Sequence, residues 1–260
     1  MLAAAALEAG LAPEYDCNGA VVVDGQIFRC AGGVPHGEVD LSTALAKSCN
    51  GYFIRLGQQL GAQALLQQAQ ALGFGRSIGL AESLTAQSGA LPGAEELAQS
   101  GQLANFSFGQ GSLLATPLQV AAMMNTIANG GVYRVPCLLD CALDETSGEE
   151  LSAFARPQAE RVLTEQTVAA LRTMLEQTVA EGTAQDASGL PGGAAGKTGT
   201  AQTGQFTPEG TERCNLWFAG FWPAEKPRYT IGVLQDGAVH TAYSGAAIFA
   251  QVCNVLEAAG

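Results

Sequence analysis

The apolar pattern of this chain changes period near residue 190, and that change limits it to a mixed architecture. Before it, apolar side chains recur at helical spacing: Tyr52, Phe53, Leu56 and Leu60, then Leu65, Leu66, Ala69 and Leu72, then Leu118, Ala121, Met124 and Ile127, then Val168, Leu171, Leu175 and Val179. After it, residues 194–203, 215–222 and 228–235 read as strands. The last two are joined through Ala224-Glu225-Lys226-Pro227, whose proline suits a turn and cannot donate to a ladder. Ile248, Phe249, Val252 and Leu256 then form an amphipathic helix able to cover one sheet face. A helical part followed by an antiparallel meander argues for an α+β fold, a helical subdomain plus an antiparallel sheet covered by a C-terminal helix, rather than a doubly wound sheet. The division falls at 1–190, mainly helical with a hairpin, and 191–260, strands and the last helix.

Local signals place the boundaries. Met1 to Leu11 is rich in Ala and Leu with a stop at Gly10, and reads as the second half of a helix. Ala20 to Phe28 reads as a hairpin turning at Asp24-Gly25, which sets Cys30 opposite Gly19 rather than Cys17. A Cys17–Cys30 disulfide would then need a bulge or a diagonal reach. The Gly-, Ser- and Pro-rich segment from about 77 to 112 reads as loops. Thr116-Pro117 supplies an N-cap and a first-turn proline for the next helix, which Asn129-Gly130-Gly131 ends, and Thr164 caps another.

Composition excludes several classes of function. At 260 residues and 47% hydrophobic content the chain can bury a sizeable core. A net charge of −12 with only twelve Lys and Arg argues against nucleic acid and anionic membrane surfaces as partners. No run approaches the roughly 18 apolar residues of a membrane span, and Met1 to Leu11 lacks the basic start of a signal peptide. Seven cysteines with no Cys-x-x-Cys pair and only two histidines predict no metal site, and no cofactor motif is present. His36 and His240 have no partner at recognisable spacing and read as surface or structural residues.

Two short segments stand out chemically. Lys197-Thr198-Gly199-Thr200 follows Gly192-Gly193-Ala194-Ala195-Gly196, a run that lets another backbone come close, and in so acidic a chain its lysine is conspicuous. Far upstream stands Ser48-Cys49-Asn50. Patterns of these two kinds, with a nucleophilic Ser-x-x-Lys, mark penicillin-binding proteins and serine β-lactamases. The third pattern is missing: the lysines are Lys47, Lys197 and Lys226, and three positions before them stand Ala44, Ala194 and Pro223.

Four stretches, in order, resemble the transpeptidase domain of penicillin-binding proteins. They are Ala46-Lys47-Ser48-Cys49-Asn50-Gly51-Tyr52-Phe53; Phe108-Gly109-Gln110-Gly111 with Thr116-Pro117-Leu118-Gln119-Val120-Ala121; Gly182-Thr183-Ala184; and Gly196-Lys197-Thr198-Gly199-Thr200-Ala201. Trp217-Phe218-Ala219-Gly220-Phe221 and Ala128-Asn129-Gly130-Gly131 fit as well, so the resemblance covers nearly the whole chain and is nearest the monofunctional class.

The resemblance implies a β-lactamase/transpeptidase-like fold. It also implies a serine D,D-transpeptidase that cross-links the bacterial cell wall through an acyl-enzyme, at the extracytoplasmic face of the membrane. The ligands implied are peptidoglycan stem peptides ending in D-Ala-D-Ala and the β-lactams that mimic them, and other cell-wall synthesis proteins would be partners. In that family Ser-x-x-Lys opens a buried helix whose continuation is similar to Leu2 to Gly10, and two sheet strands precede it. The expectation is therefore a domain truncated before that motif, inactive as written, keeping three C-terminal strands and an exposed strand edge open to pairing. The alternative is that Met1 is the true start and the chain is a non-catalytic remnant that binds peptide or a protein partner. A β-lactamase-type hydrolase is the weaker branch: it needs a deacylating base, no Glu-x-x-Leu-Asn occurs, and Glu82 sits in a Gly/Ser-rich loop of the transpeptidase type.

By the same resemblance, Lys197 polarises the site and attracts the substrate carboxylate. Thr198 and Thr200 hydroxyls bind that carboxylate, and the Thr200 N–H is an oxyanion donor. Gly199 leaves the strand bare for a substrate laid along it. Ser48 relays a proton and Asn50 holds the substrate amide carbonyl. Plainer readings stand beside these: a solvated lysine, ordinary strand threonines with a bulge glycine, and Ser48 and Asn50 as helix caps. Lys47 reads as a solvated neighbour.

Overall fold

A computed structural model of the chain describes residues 1–81, 83–154 and 159–259. Glu82 lies outside them. The fold is α+β. In chain order its elements are α1 (Leu2–Glu8), β1 (Tyr15–Cys17), β2 (Ala20–Val23), β3 (Gln26–Arg29), β4 (Gly37–Val39), α2 (Leu41–Ala46), α3 (Asn50–Ala71), β5 (Ile78–Ala81), β6 (Leu84–Ala86), α4 (Ala94–Leu97), α5 (Gln102–Ser107) and α6 (Pro117–Ala128). They continue with β7 (Val132–Arg134), β8 (Cys141–Leu143), β9 (Glu150–Ala153), β10 (Ala159–Arg161), α7 (Glu165–Ala180), β11 (Ala195–Phe206), β12 (Glu212–Trp222), β13 (Tyr229–Ala238) and α8 (Gly245–Ala259).

The three long C-terminal strands form an antiparallel meander in the order β11-β12-β13, as the strand periodicity predicts. Alternation along β12 divides the interior. Phe218 and Trp222 face Phe249 and Cys253 of α8, whereas Ala219 and Phe221 face a larger core that holds Leu2 of α1, Leu56 of α3, Ile127 of α6 and Leu171 of α7. Each such aromatic, taken fully out of water, contributes about 1.5–3 kcal/mol. The middle strand therefore anchors the sheet to helices on both sides.

The caps follow local chemistry. Thr116 accepts from the Gln119 N–H at 3.2 Å, and the Gln119 side chain accepts from the Thr116 N–H at 3.0 Å, a reciprocal capping box ahead of Pro117. Thr164 caps α7 through the Thr167 N–H at 3.2 Å. Helix α1 ends at Gly10, whose φ is +67°: the Gly10 N–H donates to the Leu7 carbonyl and the Leu11 N–H to the Ala6 carbonyl, a Schellman motif.

The two apolar runs at 52–60 and 65–72 mark the two helical segments of α3, which meet at a break at Gly61, where φ is +78° and ψ is +162°. One feature differs from the sequence reading. The segment read as loops, 77–112, holds a short hairpin, β5–β6, and two one- to two-turn helices, α4 and α5, all too brief for periodicity to register. Cys17 and Cys30 are free thiols with their sulfurs 3.6 Å apart. The hairpin itself matches: Val23 pairs with Gln26 across Asp24-Gly25, and the Cys30 N–H donates to the Gly19 carbonyl at 3.0 Å. Among the described residues, no helix is long and apolar enough to cross a membrane.

Candidate functional site

Ser48 owes its position to the end of α2. Asp40 caps the start of that helix by accepting from the Thr43 N–H at 2.7 Å. Eight residues after Asp40 the chain reverses with Ser48 in the left-handed region, at φ +57°. The Ser48 N–H donates to the Leu45 carbonyl and the Cys49 N–H to the Ala44 carbonyl, again a Schellman motif. Glycine usually fills that position, because a Cβ there costs about 1–2 kcal/mol. The turn aims the Ser48 hydroxyl at the sheet instead of at α3. The N-cap of α3 is Cys49, without a side-chain cap bond, so helix capping does not explain this serine.

The group Ser48 meets is Lys197. Gly196 and Lys197 pair with Gly220 and Ala219 of β12, and Gly196 must be glycine, since a Cβ there would lie 2.3 Å from Phe218 Cζ. The Lys197 Nζ donates to Ser48 Oγ at 2.7 Å and to the Thr198 carbonyl at 3.0 Å, with Thr198 Oγ1 and Thr183 Oγ1 each at 3.4 Å. Every one of these acceptors is neutral. Burial lowers the lysine from its usual value to about 8, because its charge has lost water without gaining a carboxylate. The half-buried ammonium is thus short of negative charge at neutral pH.

Residues around this pair complete one wall. The Thr183 and Thr198 hydroxyls share a hydrogen bond of 2.6 Å. Gln110 Nε2 donates to the Thr200 carbonyl at 3.0 Å, tying the loop after α5 to β11. In an antiparallel strand a residue's carbonyl and N–H point to the same side, so the Thr198 and Thr200 N–H groups face the open edge of β11, away from β12. Gly199 pairs regularly with Trp217, and the only bulge in β11 lies between Gln202 and Gln205, so Gly199 is not a bulge residue. A Cβ at Gly199 would meet only the Trp217 Cβ, at 3.4 Å. Internal packing leaves this position free to carry a side chain.

Asn50, in the first turn of α3, donates one of its two side-chain N–H groups to the Arg29 carbonyl at 2.9 Å, which holds the amide against the β2–β3 hairpin. Lys47 is exposed and reaches only the His36 carbonyl, at 3.4 Å. The structure thus brings Ser48, Lys197, Thr198 and Thr200 to one wall, with Asn50 two residues beyond Ser48. Thr183 and Gln110 were absent from the residues singled out for chemistry. Their signal was available, since both fall inside stretches that carry the family resemblance.

A second grouping was not read from the sequence at all. Cys17, Cys30, Cys49 and His36 place their ligand atoms within 4.8 Å of one another, with the Cys17 sulfur 3.5 Å from His36 Nδ1 and the Cys30 sulfur 4.0 Å from that of Cys49. Cys17, Cys30, His36 and Cys49 follow one another at intervals of 13, 6 and 13 positions, which no short spacing motif describes.

Comparison with known proteins agrees with the architecture. A family profile described as the penicillin binding protein transpeptidase domain matches residues 1–254. Peptidoglycan D,D-transpeptidase PbpA of Mycobacterium tuberculosis is 34% identical over 237 residues, covering 88% of this chain and 46% of that protein. Stage V sporulation protein D of Bacillus subtilis is 29% identical over 238 residues, covering 92% of this chain and 36% of that protein. The chain therefore spans less than half the length of these two relatives. Among solved structures, penicillin binding protein 3 of Mycobacterium tuberculosis, complexed with ampicillin, superposes with a TM-score of 0.83 at 28% identity, covering 99% of this chain and 60% of that one. A D,D-transpeptidase domain of a peptidoglycan glycosyltransferase from Eggerthella lenta gives the same TM-score at 27% identity, covering 99% of this chain and 62% of that one. A profile that runs through both motif segments, joined to a structure in which those segments meet, means that this chain belongs to the penicillin-binding protein transpeptidase domain family.

Proposed function

We propose that the wall built from Ser48, Asn50, Lys197, Thr198, Gly199 and Thr200 binds the D-Ala-D-Ala end of a peptidoglycan stem peptide, and β-lactams in its place, within a serine D,D-transpeptidase site. The observation that carries this reading is the 2.7 Å contact between Lys197 and Ser48, two residues 149 positions apart in sequence. A desolvated ammonium with only neutral partners is suited to a carboxylate, and the hydroxyls of Thr198 and Thr183 flank it. The outward N–H of Thr200 serves as an oxyanion donor. The glycine at 199 lets the peptide lie along β11 as an added strand.

In the full reaction a serine oxygen attacks the penultimate D-Ala carbonyl, forming an ester as the amide breaks, and the terminal D-Ala leaves with a proton as a free amine. A second amine then takes the acyl group and the serine regains its proton. Ser48, hydrogen-bonded to Lys197, is placed to pass those protons, and the free side-chain N–H of Asn50 to hold the substrate amide. No serine in these 260 residues stands three positions before a lysine. The polypeptide therefore binds without being acylated, and the working enzyme takes its nucleophile from Ser-x-x-Lys outside this sequence, at the extracytoplasmic face. A remnant that only binds peptide or protein remains the second reading.

Incubation with a fluorescent penicillin tests this: we expect no labelled band after denaturation. We also expect reversible binding of a D-Ala-D-Ala-terminated peptide, weakened about 10- to 100-fold by Lys197→Ala, the usual worth of a hydrogen bond to a charged group. A covalent band overturns the assignment of the nucleophile, and peptide binding indifferent to Lys197→Ala overturns the cleft.

A further inference from the structure

We propose that Cys17, Cys30 and Cys49, through their sulfurs, and His36, through Nδ1, form a closed four-coordinate site for a thiophilic divalent cation, zinc above all, that clamps the Ser48-Cys49-Asn50 segment. The donors come from four places in the fold: the end of β1, the residue after β3, the loop before β4 and the N-cap of α3. Pairing of β1 with β4, which sets Cys17 opposite Gly37, carries His36 to Cys17. The β2–β3 hairpin returns the chain so that Cys30 comes beside both.

The spacing suits the ion. A tetrahedral centre with bonds of about 2.3 Å to sulfur and about 2.0–2.1 Å to nitrogen holds its donor atoms roughly 3.5–3.8 Å apart. Here the neighbouring separations are 3.6 Å for Cys17 and Cys30, 3.5 Å for Cys17 and His36, and 4.0 Å for Cys30 and Cys49. The three sulfurs are at most 2% exposed, so no solvent ligand is needed to close the shell. Three sulfurs and an imidazole are the donor set of structural zinc, whereas calcium and magnesium take oxygen.

The supporting shell is also present. The His36 N–H donates to the Cys17 carbonyl at 3.0 Å, and the Cys49 N–H donates to the Ala44 carbonyl at 2.9 Å, so backbone bonds fix where these ligands leave the chain. Three thiols and an imidazole brought this close are weak hydrogen-bonding groups with little to gain from one another. Binding releases the three thiol protons to solvent, leaves His36 neutral, and sets three thiolates against a 2+ ion, so the ion offsets most of the thiolate charge. A Cys17–Cys30 disulfide would use two of the four groups and leave Cys49 and His36 idle.

The position gives the site its purpose. Cys49 stands between Ser48 and Asn50, and Cys30 follows Arg29, whose carbonyl receives the Asn50 amide. A cation held here fixes the strained turn at Ser48 and the hairpin that orients Asn50 together.

The test is metal analysis of the whole chain, produced with zinc in the medium and purified under reducing conditions. We expect about one zinc per chain, and after exchange with cobalt the intense visible bands of tetrahedral thiolate coordination. Cys49→Ser and His36→Gln should each lower the zinc content severalfold, whereas Cys137→Ser, at an exposed cysteine away from the cluster, should keep it. Should these variants fail to fold, thiol titration of the unaltered chain decides: chelation should make three further thiols reactive and lower the melting temperature. Zinc content near zero with cobalt bands absent, a Cys17–Cys30 disulfide in peptide maps of the freshly purified chain, or thiols equally reactive with and without chelator would overturn the site.

Discussion

Two helices of this chain end in the same backbone motif with different residues at its left-handed position, Gly10 after α1 and Ser48 after α2. At Gly10 a Cβ would touch nothing within 4 Å, so glycine is there for its backbone freedom alone. At Ser48 the same conformation is kept with a side chain, and that side chain makes the 2.7 Å contact with Lys197. One position serves its turn alone, and the other also carries a contact to β11. Asp24, at φ +50° in the β2–β3 turn, is the other described non-glycine residue with positive φ, so the hydroxyl contact rather than the dihedral angle sets Ser48 apart.

Four experiments bear on that contrast, taken from the largest effect down. Gly10→Ala should cost about 1–2 kcal/mol in denaturant unfolding, purely from the left-handed penalty, since space is open there. A cost near zero would mean that the turn after α1 readily relaxes, and the two caps would then not be comparable. The next concerns pH. Lys197 in the folded protein sits near 8, below its usual value, so burying its charge costs stability below about pH 8, and that cost disappears as pH rises toward the unfolded value. Stability should therefore climb above pH 8 while affinity for a carboxylate-ended peptide falls, about tenfold by pH 9 as the ammonium is lost. Titration by calorimetry at several pH values checks both signs, and parallel changes would contradict a buried lysine poised for an anion.

The other cap responds at the acid end. Burial raises the Glu8 carboxyl, but its bonds with Thr167 and Thr164 outweigh that and hold it below the usual range, so its contribution is present at neutral pH and is lost as pH falls through the folded value. The smallest expected effect is Ser48→Gly, which should stabilise the fold by about 0.5–1 kcal/mol while weakening the peptide affinity that depends on Lys197. Ser48→Ala keeps the strained backbone and should lose the affinity without the gain. Equal stability of the two variants would show that φ at Ser48 carries no strain.

Much of the fold was legible because its signals are local. The caps at Thr116 and Thr164, the turn at Asp24-Gly25 and the three long strands each follow from neighbours in sequence. The segment 77–112 was not, because β5, β6, α4 and α5 are shorter than the windows in which periodicity can be seen. The site was legible in pieces. Lys197 and Ser48 could be singled out from their motifs, yet their meeting depends on α2 packing on α7 and α7 on β11, and no spacing rule encodes it. Gln110 and Thr183 act through side chains that ordinary loops also carry. The cysteine cluster was the least visible, since Cys17, Cys30, His36 and Cys49 converge only after β1 pairs with β4 and the hairpin folds back.

The interruption of α3 at Gly61 divides one helix into two separately set segments. The turns before it place Asn50 against the hairpin and Tyr52 and Leu56 in the core, and those after it carry Leu65 and Ala69 into the same core. Because the ladder is broken there, the angular setting of the later turns is not transmitted to the earlier ones. A residue gained or lost just beyond Gly61 would rotate the later turns by about 100° and swing Leu65 and Ala69 out of the interior, while Asn50 keeps its place. The joint thus confines the damage of a length change to packing.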